Sequence, residues 1–414
     1  MPQNISSKDR TILRDVAKRI AEVADTPEMH EKREMWKKHN ALERVRPMIL
    51  LFPEGAWRDI GKRVDLLCRC EDPNVRRTEH WLRSRLYEAE NHHDDKPIDK
   101  TWPVGKAIHS TGWGLEPKWI PSDDPLGART FDPVILEPAD LKKLTVPQIS
   151  LDEEATKQNL ADAEELYGGI FDIELRGLSH VSFHLMSQYT ALRGLEEAMM
   201  DMVMNPGMLH DAMAFFEEAH KSIVQQWTDL NLFSLNNDGT YHSSGGVGYT
   251  DELPADGFDP DRVRPCDMWA SAEAQELAQV SPEMHEEFSM QYERRLLEPF
   301  GLNGYGCCED LTKKLDDVLT IPNIRRISIA PWADVDVCAE KIGDKAIFSW
   351  KPHPAHVAGE GFDAGMVREY IKHTLDVTKG CVIEMILKDT HTCRDEPERF
   401  VQWTDIAREL AEEY

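Results

Sequence analysis

Hydrophobic positions along this chain recur with the spacing of helices in some stretches and of buried strands in others. Residues 7–45 carry apolar side chains at helical spacing among many charges, with Ser7 placed to cap the start, which predicts a solvated helical arm. The run 47–53 is apolar and bounded by prolines, as expected for a parallel strand buried on both faces. Residues 54–95 again resemble helix, whereas 97–150 show many prolines and tryptophans and little periodicity.

From residue 151 onward, predicted helices and strands alternate. The predicted helices are 151–167, 191–228 with a break near 205–207, 282–297, 311–319, 334–342 and 364–378. The predicted strands are 171–175, 232–235, 302–308, 325–330, 346–350 and 381–389, to which 47–53 and 129–136 add two. Strands that alternate with helices imply right-handed crossovers and a parallel sheet.

About eight such units predict an α/β fold of the (β/α)8 TIM barrel type. We expect this barrel to span 47–414, after a largely helical N-terminal extension over 1–46. The aperiodic stretch around 97–150 is then an irregular insertion, and the Gly-, Asp- and Pro-rich stretch around 239–267 is a long loop.

The net charge of the chain argues against some classes of binding partner. The 414 residues carry a net charge of −27, which argues against nucleic acid and against an anionic membrane surface. No apolar run approaches the roughly 20 residues of a membrane span, and residues 1–5 lack the pattern of a signal peptide. Eight cysteines without an export signal predict a cytoplasmic protein, whose cysteines are more often buried, metal-bound or catalytic.

The active site of a TIM barrel lies at the carboxyl ends of its strands. Residues that follow the predicted strands here are rich in thiols, imidazoles and carboxylates: Glu174, Asp238, Cys307, Cys308, Glu309, Asp310, Trp332, His353, Asp389, His391 and Cys393. Two thiolates and an imidazole make a tetrahedral zinc site with one open position. Cys308, His391 and Cys393 are therefore the predicted zinc ligands, although each cysteine alone is equally explained as a small buried residue.

Several segments resemble the uroporphyrinogen decarboxylase superfamily over residues 170–395. They are Leu-Arg-Gly-Leu-Glu-Glu-Ala at 192–198, Met-Asp-Met at 200–202, Asn-Pro at 205–206, Asn-Asp-Gly at 237–239, Val-Ser-Pro-Glu-Met at 280–284, Tyr-Glu-Arg-Arg-Leu at 292–296 and Cys-Glu-Asp at 308–310. The resemblance implies the same barrel. It also implies one of two activities, cofactor-free porphyrinogen decarboxylation or zinc-dependent methyl transfer with corrinoid proteins.

The resemblance favours the methyltransferase branch. The decarboxylases carry an arginine-rich motif after the first strand, whereas residues 52–58 of this chain contain one arginine. The methyltransferases carry His-x-Cys after a middle strand and Cys after the last. This chain has Gly-Cys-Cys at 306–308 and His-Thr-Cys at 391–393. The resemblance therefore implies the same types of zinc ligand, cysteine and histidine, with the histidine after the last strand and not after the middle one.

The implied function is a zinc-dependent methyltransferase that moves a methyl group between a small methylated substrate and cob(I)alamin or methylcobalamin carried by a partner corrinoid protein. An O-methyl compound is the preferred substrate. Asp238 and Glu273 are candidates for proton handling, with ordinary loop carboxylates as the alternative. Candidate substrate-binding residues are His184, Trp269, Trp332 and His353. The alternatives to this function are a cofactor-free decarboxylase or lyase and a non-catalytic binding member of the superfamily. A homodimer is a further possible assembly.

Overall fold

The computed structural model describes residues 5–122, 127, 130–242 and 245–414. Its α-helices are α1 (Ser7–Ala24), α2 (Pro27–Asn40), α3 (Trp57–Asp65), α4 (Pro73–Asn91), α5 (Glu153–Tyr167), α6 (Leu185–Arg193), α7 (Leu195–Met204), α8 (Pro206–Asp229), α9 (Pro282–His285), α10 (Gln291–Leu297), α11 (Leu315–Val318), α12 (Val335–Ile342), α13 (Ala355–Ala358), α14 (Ala364–Val377) and α15 (Glu398–Glu413). A π-helical turn, Glu286–Met290, connects α9 to α10.

The strands form one large sheet and three small pairs. They are β1 (Met48–Leu51), β2 (Thr101–Gly105), β3 (Ala107–Ser110), β4 (Lys118–Ile120), β5 (Thr130–Asp132), β6 (Ile149–Asp152), β7 (Asp172–Arg176), β8 (Ser182–Phe183), β9 (Trp269–Ala272), β10 (Leu302–Tyr305), β11 (Ile324–Ile329), β12 (Ile347–Trp350) and β13 (Val382–Leu387). Seven of them make a parallel sheet in the order β1-β13-β12-β11-β10-β9-β8.

Burial on both faces explains the composition of this sheet. Every residue of β1, β10, β12 and β13 is buried, as expected where helices cover a parallel sheet. The predicted α/β class with a parallel sheet is confirmed. The closed eight-stranded barrel is not confirmed, because in the described part of the chain the ladder runs from β1 to β8 and no backbone ladder joins those two edges.

Three of the predicted strands are wrong as members of the main sheet. The predicted strand 232–235 forms no strand, and its Phe233 makes an isolated bridge to Leu178. β7, predicted at 171–175, pairs with β2. β5, inside the predicted strand 129–136, pairs with β4, and residue 129 lies outside the described residues. The sheet instead includes β8 and β9, which the sequence did not predict. β8 has two residues and β9 is rich in alanine and serine, so neither shows the β-branched and aromatic composition of a strand.

The prediction of a solvated arm over 7–45 is also wrong. The segment forms α1 and α2, with Pro27 at the start of α2, where a proline is tolerated because the first turn needs no N–H donor. Leu13, Val16 and Ile20 of α1 are buried and pack with α4. Most charged residues of α1 lie on its outward face, with Asp9 as a buried exception, and they lower the average hydrophobicity of a helix that is nevertheless packed.

A group of polar side chains is buried beneath α2. We call His39, Asn40, Arg326, Ser349, Lys351 and Glu384 the buried charge cluster. Arg326 lies on β11, Ser349 on β12 and Glu384 on β13, and Lys351 directly follows β12. Adjacent strands therefore contribute these four residues. The amide of Asn40 donates to the carbonyl oxygens of Val247 at 2.8 Å and Tyr249 at 2.7 Å, which fixes α2 to the 247–249 segment.

In the described part of the chain, no helix combines the length and the apolar character that crossing a membrane requires.

Candidate active site at the strand ends

The carboxyl ends of four strands bring ionisable side chains together. His184 follows β8, Glu273 follows β9, the Cys307–Cys308 pair follows β10, and Lys388 and Asp389 follow β13. β10 and β13 are separated by two strands in the sheet, a span of roughly 14 Å on a flat sheet. The Cys308 Sγ nevertheless lies 3.9 Å from the Asp389 Oδ2, so the sheet is strongly curled at this end.

Two adjacent thiols form the centre of the site. The sulfur atoms of Cys307 and Cys308 are 3.5 Å apart, and both residues are partly exposed. The hydrogen bond to Cys308 and burial raise the pKa of Cys307, which stays a thiol. The hydrogen bond with Cys307 lowers the pKa of Cys308. Cys308 is therefore the sulfur that carries negative charge more readily.

A histidine and a carboxylate form an acid pair beside the thiols. The Nδ1 of His184 lies 2.9 Å from the Oε1 of Glu273. Burial lowers the pKa of His184, but the hydrogen bond and charge of Glu273 outweigh it, and the pKa is raised. Burial likewise raises the pKa of Glu273, but His184 and a hydrogen bond from Cys307 reverse this and lower it. The contact thus favours the protonated form of His184 and the charged form of Glu273, and Glu273 is also hydrogen-bonded to Cys307.

Lys388 supplies the positive charge on the β13 side. Burial lowers its pKa, but the charges of Cys307, Asp389, Cys308 and Glu54 raise it overall. Its Nζ is 3.6 Å from the Asp389 Oδ1, and the Asp389 N–H donates to the Glu54 Oε2 at 3.0 Å. Glu54 and Lys388 lie just after β1 and β13. Active-site residues are expected at the carboxyl ends of strands, so both positions deserved inclusion, but our sequence interpretation omitted them.

Gly306 sets the direction in which the two thiols leave β10. Its φ is +92°, in the left-handed region that favours glycine, and a Cβ there would lie 2.7 Å from the Leu311 Cδ1. Both constraints disfavour any side chain at position 306.

We expect Gly306→Ala to lower the free energy of unfolding by about 1–3 kcal/mol, because it adds backbone strain and a contact with Leu311. Urea denaturation measures the change. Gly361→Ala is the matched control, since its Cβ would meet nothing within 4 Å, and it should change stability by less than about 0.5 kcal/mol. Equal losses in both variants would contradict the assignment of strain to position 306.

The three predicted zinc ligands do not form a metal-holding group. Cys393 is fully buried, and its Sγ lies 3.6 Å from the Asp59 Oδ2, which also accepts from the Cys393 N–H at 2.9 Å. His391 is exposed, and its carbonyl oxygen accepts from Arg58 at 2.9 Å. Among the residues described, no three His, Cys, Asp or Glu side chains are arranged so that they could hold a metal ion.

The other predicted site residues are dispersed. Trp332 is 58% exposed and donates its indole N–H to the Cys308 carbonyl oxygen at 2.9 Å, so it lies at the rim of the thiol site. Trp269 is fully buried, donates to the Gly248 carbonyl oxygen and offers no face to a substrate. His353 is exposed, and its Nδ1 accepts from the Ala355 N–H at 3.1 Å.

Asp238 lines a cleft beside the thiol site. The cleft has a volume of about 1190 Å³ and is lined by residues of α4, β2, β7 and the segments 231–241 and 258–263. Asp238 pairs with Arg176 at 2.6 Å there. The thiols do not line the cleft, but Phe52 and Tyr241 do, and their rings meet edge to face at 4.9 Å.

Tyr241 connects the cleft to the thiol site. Burial and then the nearby charges of Cys307 and Glu54 raise its pKa well above the usual range. Tyr241 lies in a predicted loop, so no sequence signal could have identified it. The arrangement is a charged reaction centre at the strand ends with an adjoining cleft of ligand size.

Comparisons with known proteins leave the family of this chain undetermined. No family model and no curated protein sequence matches it. Among solved structures, the chain is similar to a methyltransferase from Methanosarcina mazei, with 12% sequence identity, a TM-score of 0.46, and coverage of 92% of this chain and 98% of that chain. A similarity at this level does not determine the fold or the activity of this chain.

Proposed function

We propose that the chain is a methyltransferase that moves a methyl group from a small methylated compound to a corrinoid protein. The observation that carries the proposal is the contact between the thiol pair and the His184–Glu273 acid pair at the strand ends. Removing a methyl group from a heteroatom leaves an electron pair there, and a positioned acid that protonates the heteroatom makes it a better leaving group.

The acid pair supplies the proton. Glu273 keeps His184 protonated, and the Nδ1 of the ring is held by that carboxylate, so the Nε2–H is the proton that faces outward. As the bond between the heteroatom and the methyl carbon breaks, His184 protonates the heteroatom and the methyl group passes to the reduced corrinoid. Glu273 then stabilises the neutral imidazole in one tautomer until it is reprotonated.

The thiols orient the substrate for this transfer. The pKa of Cys307 is raised and that of Cys308 is lowered, so together they present a thiol and a more acidic soft sulfur beside the acid. Trp332 adds an exposed aromatic surface at the rim, where a partner that carries the corrinoid would approach.

Zinc is a separate proposal. The donor types at the strand ends, two thiols with a carboxylate and an imidazole, are those that zinc takes. The residues as placed do not fit a bound ion, since no three of the described His, Cys, Asp and Glu side chains are suitably grouped. We therefore assign no step of the reaction to a metal.

The proposal is tested by methyl transfer to cob(I)alamin from four donor classes: methanol, methylamines, methyl thiols and methoxylated aromatics. We expect His184→Gln to reduce the rate by roughly 10²- to 10⁴-fold, because general acid catalysis is worth about that much. The alkaline limb of the pH–rate profile, where the rate falls as His184 loses its proton, should be lost as well. Cys308→Ser should reduce the rate at every pH.

Cys266→Ser is the matched control, because Cys266 is a partly exposed cysteine that precedes β9, at the end of the strand opposite Glu273. It should transfer methyl at the unaltered rate. Full activity of both His184→Gln and Cys308→Ser would refute the site, and no transfer from any donor class would refute the function. Metal analysis of the same proteins decides the zinc question: any bound zinc should be lost in Cys308→Ser and kept in Cys393→Ser.

A further inference from the structure

Cys307 and Cys308 form a dithiol that a ligand can reach. Their sulfur atoms lie 3.5 Å apart, and both residues are partly exposed. Cys68 and Cys70 are also close in sequence, but both are buried, and their sulfurs donate to two different backbone oxygens. The proposed reaction uses the Cys307–Cys308 pair only to orient a substrate, so what else the two thiols can bind is a separate question.

Hydrogen bonds fix the backbone that carries these thiols. The Cys307 N–H donates to the Glu309 Oε2 at 2.8 Å, and the Cys307 carbonyl oxygen accepts from the Ser328 hydroxyl at 2.9 Å. The Cys308 carbonyl oxygen accepts from the Trp332 indole N–H at 2.9 Å. The two sulfurs are therefore held in contact before any ligand arrives, and a ligand that bonds to both loses little of its affinity to ordering the chain.

The distance between the sulfurs selects the kind of atom that can bridge them. An atom bonded to both at about 2.3 Å, the length of a zinc–thiolate bond, would have an S–X–S angle of about 100° at the observed 3.5 Å. Mercury and silver ions bind two thiolates in a line, which needs sulfurs roughly 4.6 Å apart at the same bond length. Trivalent arsenic is a pyramid with angles somewhat above a right angle, because its lone pair takes the fourth position. The pair therefore fits trivalent arsenic better than a linear ion.

Trivalent arsenic also needs no third ligand from the protein. Two sulfurs and one hydroxyl or carbon group complete its bonding, whereas zinc sites take three or four protein ligands. No three of the described His, Cys, Asp and Glu side chains are grouped to hold a metal ion, so a ligand that binds two sulfurs matches the residues present. As a soft element, arsenic prefers thiolate sulfur to carboxylate oxygen.

The acidic surroundings of the thiols favour a neutral ligand. The Cys308 Sγ lies 3.9 Å from the Asp389 Oδ2, Glu273 is hydrogen-bonded to Cys307, and the whole chain carries a net charge of −27. Such a field repels phosphate and other oxyanions. Arsenous acid and organoarsenous acids are uncharged at neutral pH, so these carboxylates do not oppose their approach.

We propose that Cys307 and Cys308 form a binding site for trivalent arsenic, taken up as arsenous acid or as an organoarsenous acid with one carbon substituent. Two As–S bonds replace two As–O bonds, the two thiol protons leave with the two hydroxyl groups, and two molecules of water are released. No atom is oxidised or reduced. Binding does not require the proposed function. If that function holds, on which this last step rests, bound arsenic occupies both thiols and stops methyl transfer.

The test is titration of the full chain with sodium arsenite and, separately, with phenylarsine oxide, which has only two bonds available for sulfur. Elemental analysis after dialysis should find one arsenic per chain with either probe. Cys307→Ser and Cys308→Ser should each weaken binding by about 10²- to 10⁴-fold, because a single thiol lacks the gain of a linked second bond. X-ray absorption of the unaltered chain loaded with arsenite should show two sulfur neighbours and one oxygen neighbour around arsenic.

Cys266→Ser is the matched control, since Cys266 is partly exposed and lies outside the pair. It should bind arsenite like the unaltered chain. Unaltered affinity in Cys307→Ser and Cys308→Ser, or one or three sulfur neighbours around arsenic in the unaltered chain, would overturn the site. A chain that transfers methyl groups but binds no arsenite would overturn the site and leave the proposed function standing. Arsenite binding to a chain that transfers no methyl group from any donor class would support the site and count against that function.

Discussion

Replacing Arg326 with methionine is expected to lower the free energy of unfolding by about 3–5 kcal/mol, the usual cost of breaking a buried ion pair by removing one partner. The Arg326 Nε lies 3.0 Å from the Glu384 Oε1, and both side chains are fully buried. Arg326 also donates to the Asn40 Oδ1 at 2.6 Å. Without Arg326, a buried carboxylate would lose its principal cation.

The remaining neighbours of Glu384 cannot take over this role. His39 lies 3.1 Å from the Glu384 Oε2, but burial lowers the pKa of His39 and keeps it neutral. Burial also lowers the pKa of Lys351 to about 7, so its charge is only partly retained at neutral pH. Arg326 is therefore the one full positive charge that the described residues place on Glu384 at neutral pH.

Urea denaturation at pH 7.5 measures this effect. Arg19→Met is the control, because Arg19 forms an exposed ion pair with Glu90 at 2.6 Å, and exposed pairs contribute less than about 1 kcal/mol. The double variant Arg326→Met/Glu384→Leu should recover part of the loss, since it removes the unpaired charge. A loss in Arg326→Met no larger than that in Arg19→Met would contradict the importance of the buried charge cluster.

Lowering the pH from 7 to 5 is expected to destabilise the folded chain steeply. Four histidines are buried and neutral, because burial lowers the pKa of His92, His242 and His285 to about 3 and that of His220 to about 4. Their unfolded pKa is about 6.5, so the unfolded chain binds more protons below pH 6.5. Stability is therefore lost as the pH falls from 6.5 toward the folded values.

The size of this loss is large compared with the stability of a typical domain. Each histidine contributes roughly 2 kcal/mol at pH 5 by linkage, against a total of about 5–15 kcal/mol. Asp94 opposes the trend, because burial raises its pKa to about 6 and it gains a proton in the folded state. Burial also raises the pKa values of Glu293 and Glu309, which oppose the trend as well, so the net loss is smaller than the sum over the four histidines.

Thermal unfolding followed by circular dichroism at pH 7.5, 6.5, 5.5 and 5.0 checks this expectation. The melting temperature should fall most steeply between pH 6.5 and 5.0. His30→Gln, at an exposed position, should show the same pH dependence as the unaltered chain. A melting temperature that stays constant or rises down to pH 5.0 would contradict the assignment of the buried histidines.

The pattern of hydrophobic residues predicted most of the large sheet, because an apolar run of four to six residues between helices is typical of a buried parallel strand. The strands at β1, β10, β11, β12 and β13 are found close to their predicted places. β9 was missed because three of its four residues are alanine or serine, which are not among the β-branched and aromatic residues enriched in strands. The resemblance-based expectations of zinc and a corrinoid partner stay proposals, as does the division into an extension and a barrel.

The expectation that active-site residues follow the strands predicted which residues to examine. It did not predict which of them lie in contact. His184 and Glu273 are 89 residues apart, and Cys308 and Asp389 are 81 apart. His184 and Glu273 meet because β8 and β9 are neighbours in the sheet, whereas Cys308 and Asp389 meet although two strands separate β10 from β13. Cys393 has the same thiol chemistry as Cys308, yet Asp59, 334 residues before it, holds its sulfur inside the fold.

The sequence by itself determined the class of fold, the acidic surface and the list of chemical groups at the strand ends, because these depend on local periodicity and residue type. Only the tertiary structure decided that Cys307 and Cys308 adjoin the His184–Glu273 pair, and that no three of the described His, Cys, Asp and Glu side chains are grouped to hold a metal ion. The physical reason is that contacts between distant residues depend on sheet curvature and on loop directions such as the one at Gly306. Hydrogen bonds and packing across the whole chain fix both of these properties.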